Sequence, residues 1–242
     1  MAGFDTASFV QDVQSQAVRT YGRPLFWIRY FPPSANTTLD RDAVTECQAI
    51  WDSGARALGP ISAPTQSRLA GSAAEGQADA HTFASALLST YFAVGPLFLP
   101  ANNMLLCWLD MESGTSLSVD YWNGWSGTID GFQFPAGSGN LPLYPALYCN
   151  PHADPSPCTT LANSTANYSF AVWSSEPEPC TKSITNPPTW NAESCPQSPT
   201  NLWQYAEAGI AGCLPAQPSV DLDVGAPGVY YPDYCFQLTG RP

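Results

Sequence analysis

The chain has 242 residues, and 20 acidic side chains against 8 Lys and Arg give it a formal net charge of −12. This balance excludes nucleic acids and anionic membranes as main partners, because phosphate binding needs basic side chains that replace counterions. Hydrophobic residues make up 44% of the chain, which is enough for a core and excludes global disorder. Charged residues make up only 12%, so uncharged polar residues, Gly and Pro must form much of the surface.

Short apolar runs alternate with helical patterns in the first half of the chain. Apolar stripes at helical spacing predict helices over residues 9–21, 40–57, 76–91 and 118–129. Strands are predicted at residues 3–5, 25–31, 57–61, 104–111, 145–150, 168–174, 201–205 and 219–224. This alternation is typical of parallel β/α units, and eight strands in a chain of this length predict an irregular (β/α)8, TIM-like barrel.

We expect one domain over residues 1–242, with long Cys- and Pro-rich loops in the C-terminal half. The stretch 151–200 is the largest of these loop regions. The opening residues, MAGFDTASF, carry neither a basic segment nor an apolar segment of a secretory signal. No stretch of ~18 apolar residues predicts a transmembrane helix. We therefore expect a mature form or a domain cut from a longer protein.

The eight cysteines contain no CxxC pair, and only two His are present, which argues against a zinc cluster. We predict a secreted, extracellular protein with up to four disulfides. Cys149–Cys158 and Cys180–Cys195 are the simplest local pairs. The alternative is buried free thiols in a cytosolic protein. Weak support for secretion comes from three glycosylation sequons, which begin at Asn36, Asn163 and Asn167.

Two acids follow the most apolar strand, in the segment Leu109-Asp110-Met111-Glu112. In a strand, residues two apart face the same side, ~6.6 Å apart, so Asp110 and Glu112 are predicted to share one face at the lip of the barrel. Their repulsion and partial burial should raise the pKa of one of them. A raised carboxyl beside an ionised one is what glycosidic cleavage needs. The alternative is a solvated strand end or a helix cap.

Further acids stand at the ends of other predicted strands. Asp5 ends the first strand, and Asp221 and Asp223 share one face of the last strand. Because the first and last strands are neighbours in a closed barrel, Asp5 and Asp221 are predicted to reach the same mouth as Asp110 and Glu112. For each acid alone, a turn or capping role is the alternative.

Six segments occur in the order seen in family 25 glycoside hydrolases, the Chalaropsis-type lysozymes. They are Gly3-Phe-Asp-Thr-Ala-Ser8, Gln77-Ala-Asp79, Leu109-Asp-Met-Glu112, Pro145-Ala-Leu-Tyr-Cys-Asn-Pro151, Leu202-Trp-Gln-Tyr205 and Val220-Asp-Leu222. The chain also resembles related glycoside-hydrolase-like barrels of unknown function that share the opening segment. Arg29-Tyr30 resembles these relatives more than the lysozymes.

The resemblance implies roles for individual residues. Glu112 matches the general acid of the family and Asp110 the carboxylate that assists it. Asp5 and Asp221 match the remaining acids of the pocket. The residues at positions where family members line the sugar cleft are Tyr148 and Gln204. The implied activity is hydrolysis of β-1,4 bonds after N-acetylmuramic acid in peptidoglycan, with a polysaccharide as partner and no cofactor or metal. We expect a monomer.

The aromatic residues allow two interpretations, because Trp rings pack cores and also stack on sugars. Trp122 and Trp125 lie at helical spacing, which favours packing of both rings between the barrel and its helices. Trp203, beside Gln204 at a strand end, is predicted to line the sugar cleft. The region 151–200 has no counterpart in the lysozymes, and we expect it to cap or narrow that cleft.

Three hypotheses follow. The first is a secreted glycoside hydrolase of the muramidase type. The second is a barrel that binds saccharides without cleaving them. The third is a structural secreted or virion-surface glycoprotein, for which glycans on the sequons and no affinity for cell walls would be the sign.

Overall fold

The computed structural model describes residues 1–34, 42–94, 97–98, 104–112, 116–132, 142–165, 170–176 and 179–241. The strands in these ranges are β1 (Ala2–Thr6), β2 (Phe26–Ser34), β3 (Ala57–Ala63), β4 (Leu97–Phe98), β5 (Leu105–Asp110), β6 (Leu143–Cys149), β7 (Ala171–Ser174), β8 (Thr200–Ala206), β9 (Asp221–Gly225) and β10 (Phe236–Leu238). The helices are α1 (Val10–Tyr21), α2 (Ala43–Ser53), α3 (Gln66–Leu69), α4 (Ala73–Val94), α5 (Val119–Gly131) and α6 (Ser156–Ala162).

Eight of the described strands form a closed barrel in the order β2-β1-β9-β8-β7-β6-β5-β3, and pairing of β3 with β2 completes the ring. These eight are the predicted strands, and the predicted α/β barrel in one domain is confirmed. The last strand departs from the parallel pattern, because β9 runs antiparallel to both β1 and β8. Its connection from β8, residues 207–220, holds no helix.

The sequence patterns did not predict the two shortest strands. Strand β10 pairs antiparallel with the first residues of β3 and with β4. It therefore covers the part of β3 that β5 leaves unpaired, at the end of the barrel where the parallel strands begin.

Large side chains fill the barrel interior. Trp108 and Trp173 lie with their ring centroids 5.8 Å apart, and the indole nitrogen of Trp108 donates a 2.7 Å hydrogen bond to the Tyr231 hydroxyl. Tyr231 approaches β3 so closely that a Cβ on Gly59 would lie 2.4 Å from its hydroxyl oxygen. A packed interior leaves the C-terminal ends of the strands as the place for a cavity.

Two tryptophans of α5 pack between the barrel and its helices. Trp122 and Trp125 are fully buried, with stacked rings 5.6 Å apart. The predicted packing role of this pair is confirmed. Close approach of α4 and α5 depends on glycine, because a Cβ on Gly124 would lie 2.1 Å from the backbone oxygen of Ala73.

We expect Gly124→Ala to lower the free energy of unfolding by about 1–3 kcal/mol, because the added methyl group meets backbone that a side-chain rotation cannot move. Gly127→Ala is the matched control on the same helix, since a Cβ there would meet nothing within 4 Å. That change should raise stability by up to about 1 kcal/mol through helix propensity. Urea denaturation measures both variants, and equal effects would contradict the close helix contact.

The disulfides differ from the predicted local pairs. The bonds join Cys158 to Cys195 and Cys180 to Cys213, whereas Cys149 is a buried free thiol. Both proposed pairs are therefore wrong, because the fold brings together cysteines more than 30 residues apart. Cys47, Cys107 and Cys235 are also buried and belong to neither of these two disulfides.

No described helix combines the length and the apolar character needed to cross a membrane. Among the sequons, Asn163 is exposed at the C-terminal end of α6. Asn36 and Asn167 lie outside the described residues.

Candidate active site

The four acids singled out in the sequence line one cavity of about 420 Å³ at the C-terminal ends of the parallel strands. Asp5 lies on β1 directly opposite Asp221, the first residue of the antiparallel β9. Asp110 ends β5, and Glu112 follows two residues later. The reversed direction of β9 is what places Asp221 at this end of the barrel.

Asp110 is buried but opens onto this cavity. The residue is 6% exposed, and its Oδ1 has no hydrogen-bond partner among the described residues. Burial, and then the neighbouring charge of Glu112, raises the pKa of Asp110 to about 8. Asp110 therefore holds a proton at neutral pH in the free protein. The sequence predicted a raised pKa for one acid of this pair, and the acid with the raised pKa is the buried Asp110.

Glu112 is exposed and lies between two cavities. It lines the cavity that holds Asp110 and also a second one, of about 480 Å³, which Tyr148, Asn150, Glu176 and Glu207 help to line. An extended chain that occupies both cavities must therefore pass Glu112. For this reason Glu112 is positioned to act on a bond near the middle of such a chain.

Asp5 and Asp223 form a second pair of acids, and both members of this pair are buried. Asp5 is 2% exposed and Asp223 fully buried, and their carboxyl groups form a hydrogen bond. Burial raises the pKa of both groups, and the charge of Asp223 raises that of Asp5 further. The indole nitrogen of Trp173 donates to Asp223 over 3.0 Å. Asp223 was not predicted as a site residue, although its placement two residues after Asp221 was the available signal.

Gln204 on β8 and Tyr148 on β6 form a hydrogen-bonded chain that ends at Asp5 on β1. The Tyr148 hydroxyl donates to Oε1 of Gln204 over 2.7 Å, and Nε2 of Gln204 donates to Asp5 over 3.4 Å. Tyr148 lines the second cavity, whereas Gln204 is only 3% exposed and supports Asp5 from inside the barrel. Tyr30, in the middle of β2, also lines the first cavity. Burial and the nearby Asp110 and Asp5 raise its pKa, so its hydroxyl stays protonated.

Trp203 does not line the cleft that we predicted for it. The residue is 1% exposed and packs edge-on against Trp190, with ring centroids 5.8 Å apart. Successive side chains of a strand point to opposite faces. Because Gln204 faces Asp5 inside the barrel, its neighbour Trp203 faces the outer layer. The cleft prediction is wrong for this residue.

A buried ion pair supports the turn after β1. Nε of Arg29 lies 2.6 Å from Oε1 of Glu46, and both side chains are at most 5% exposed. Arg29 also donates to the backbone oxygen of Thr6, while Glu46 accepts from the backbone nitrogen of Val10 over 3.2 Å. Because Thr6 and Ala7 line the first cavity, this pair holds one wall in place.

Helix α3 forms another part of the cavity wall, where Gln66 and Leu69 line the first cavity. Arg68 of this helix binds both carboxylate oxygens of Asp79, at 2.9 and 2.7 Å.

Within the described ranges, no three His, Cys, Asp or Glu side chains are placed to hold a metal ion.

Comparison with known proteins shows the fold but not the family. No family model and no curated protein sequence matches the chain. An uncharacterized B. stearothermophilus protein, known from a 1.07 Å crystal structure, superposes with a TM-score of 0.68 at 23% identity, over 98% of this chain and 100% of the other. GHIP, a glycosyl hydrolase 25 of Streptococcus pneumoniae described as a virulence factor that participates in host cell invasion, superposes with a TM-score of 0.54 at 13% identity, over 97% of this chain and 92% of the other.

Proposed function

We propose that the protein is a secreted glycoside hydrolase that cleaves β-1,4 bonds of peptidoglycan or a related amino-sugar polymer. The carrying observation is the carboxyl pair at the mouth of the barrel, with Asp110 buried and Glu112 exposed between two cavities. The distant likeness to a glycosyl hydrolase 25 supports this chemistry. The two disulfides support an oxidising, extracellular location.

In the proposed reaction, the pair supplies one proton and one negative charge. Glu112 delivers the proton to the glycosidic oxygen while the bond from that oxygen to C1 breaks. The remaining carboxylate stabilises the positive charge that develops at C1. A water oxygen then adds to C1, and a proton of that water returns to the pair. The products are two shorter sugar chains, each with a new hydroxyl group.

The charge of Glu112 adds to burial in raising the pKa of Asp110, and in the proposed reaction the proton of Asp110 reaches the leaving oxygen by way of Glu112. Burial holds this proton on Asp110 in the free protein, next to the exposed Glu112 that faces the substrate. Tyr30 lines the same cavity and is available to donate a hydrogen bond to the sugar. Asp5, supported by Gln204, contributes a further polar group to the floor.

This assignment predicts that kcat/KM falls above about pH 8, because Asp110 is protonated below that pKa and ionised above it. Initial rates of reducing-end release from pH 5 to pH 10 measure the effect. The residual activity of Asp110→Asn should lack the decline near pH 8. A wild-type rate that stays constant to pH 10 would contradict the shared proton.

Bacterial cell walls separate a hydrolase from a binding protein. We expect the protein to sediment with walls and to lower the turbidity of a wall suspension as bonds are cut. Sedimentation without loss of turbidity would identify a saccharide-binding barrel instead. If the protein neither binds walls nor clears them, peptidoglycan is excluded as the substrate. Other amino-sugar polymers would then be tested in the same way.

A further inference from the structure

The two cavities that meet at Glu112 contain an excess of acidic groups. Their lining includes six carboxyl groups, which belong to Asp5, Asp110, Glu112, Glu176, Glu207 and Asp221. Among the described lining residues there is no Lys, Arg or His. We call these two cavities together the acidic cleft.

The charges of the acidic cleft act on one another across its two halves. Glu207 lines the second cavity, yet its charge raises the pKa of Asp5 on the floor of the first. The charge of Glu207 raises the pKa of Tyr148 in the same way. A ligand in either half therefore meets the potential of both, and a low-dielectric cleft strengthens that potential.

Basic side chains with known partners are held away from the acidic cleft. Arg29 is buried against Glu46, and Arg68 binds Asp79 with both carboxylate oxygens. Arg241 pairs with Asp52, and the guanidinium of Arg56 lies 3.6 Å from the ring centroid of Trp51. None of these four residues lines either cavity, so they do not neutralise it.

A buried polar atom in the cleft lacks a partner. Asp110 lines the first cavity, yet only 6% of the residue is exposed. Its Oδ1 has no hydrogen-bond partner among the described residues. Buried polar atoms are nearly always hydrogen-bonded, so an orphaned carboxyl oxygen in a residue that lines a cavity indicates a polar ligand group. An ammonium group has three donors and a positive charge.

We infer that the acidic cleft selects amino-sugar polymers with free ammonium groups, that is, partly or fully de-N-acetylated β-1,4-linked glucosamine chains. This inference rests on the proposed function for the same site and narrows its substrate class. Chains that carry carboxylates, such as peptidoglycan with its peptide carboxyls, should bind more weakly than glucosamine chains because of the same charges. N-acetylglucosamine chains are neutral, so their affinity should lie between those of the other two classes of chain.

The test compares two matched ligands, a β-1,4-linked glucosamine hexamer and the corresponding N-acetylglucosamine hexamer, by calorimetry and by reducing-end release at pH 6. We expect the glucosamine hexamer to bind at least ten-fold more tightly in low salt. Because exposed charges are screened over ~10 Å at 0.1 M salt and ~3 Å at 1 M, this preference should shrink strongly in 0.5 M NaCl.

Variants locate the preference in the acidic cleft. Glu176→Gln removes a charge but keeps an oxygen that accepts the 2.9 Å hydrogen bond from Asn150. It should reduce the preference for the glucosamine hexamer by roughly two- to five-fold. Asp130→Asn removes one charge from an exposed residue at the C-terminal end of α5 and should leave the preference unchanged.

The outcomes separate the inference from the proposed function. Equal or weaker binding of the glucosamine hexamer overturns the inference, even if N-acetylated chains or cell walls are cleaved and the hydrolase assignment holds. Salt-sensitive, Glu176-dependent binding of that hexamer supports the inference. If this binding occurs without release of reducing ends from any polymer, recognition is as inferred and the hydrolase assignment fails.

Discussion

Replacement of Glu112 by Gln is expected to lower kcat for reducing-end release by at least ~100-fold, because the change removes the group that delivers the proton to the leaving oxygen. The side chain is exposed, so the free energy of unfolding should stay within about 0.5 kcal/mol of the wild type. KM should change little, since most of both cavities is preserved. Steady-state kinetics and urea denaturation measure the three quantities.

Asp130→Asn is the matched control, because it removes an exposed acid outside both cavities. Its kcat should equal that of the wild type. Wild-type turnover by Glu112→Gln would refute the role of Glu112. Equal losses in both variants would attribute the effect to net charge rather than to the proton.

Replacement of Asp110 by Asn is expected to stabilise the fold at pH 8 and to have little effect on stability at pH 4. The pKa of Asp110 rises from its ordinary value of 3.8 to about 8 in the folded protein. Between these two values the folded protein binds more protons than the unfolded chain, so stability decreases as the pH rises through this window. Each pKa difference of one corresponds to about 1.4 kcal/mol, so we expect a gain of a few kcal/mol.

The measurement is urea denaturation of wild type and Asp110→Asn at pH 4, 6 and 8. Asp110→Asn should still lose some stability towards pH 8 through Asp5 and Asp223, whose pKa values are also raised by burial, and the wild type should lose more. The difference between the two proteins isolates Asp110. A difference that is constant with pH, or a variant less stable at pH 8, would contradict the buried, protonated carboxyl.

Apolar runs and helical stripes in the sequence were sufficient to predict the barrel. Each of the eight barrel strands was predicted within a few residues, because strands such as β5 are buried on both faces and read as continuous apolar text. The two-residue spacing of Asp110 and Glu112 predicted that both acids face the mouth of the barrel, and both line the first cavity, although β5 ends at Asp110. Their chemical roles stay predictions.

Features that depend on contacts between distant segments could not be read from the sequence. The disulfide partners of Cys158 and Cys180 are set by the path of the C-terminal loops. The antiparallel direction of β9 is seen only in its pairing with β1 and β8, and this direction places Asp223 in the barrel interior beside Asp5. Trp203 was misplaced because its spacing matched a strand end without telling which side of the strand faces the barrel interior.

The most direct test of the central claim is a count of new reducing ends released from soluble β-1,4-linked amino-sugar polymers, glucosamine and N-acetylglucosamine chains together with peptidoglycan fragments. The wild type should release reducing ends from at least one of these polymers, and Glu112→Gln should release fewer by ~100-fold or more at equal protein concentration. No release from any of them by the folded wild type, or equal release by both proteins, would contradict a glycosidic active site at the mouth of this barrel.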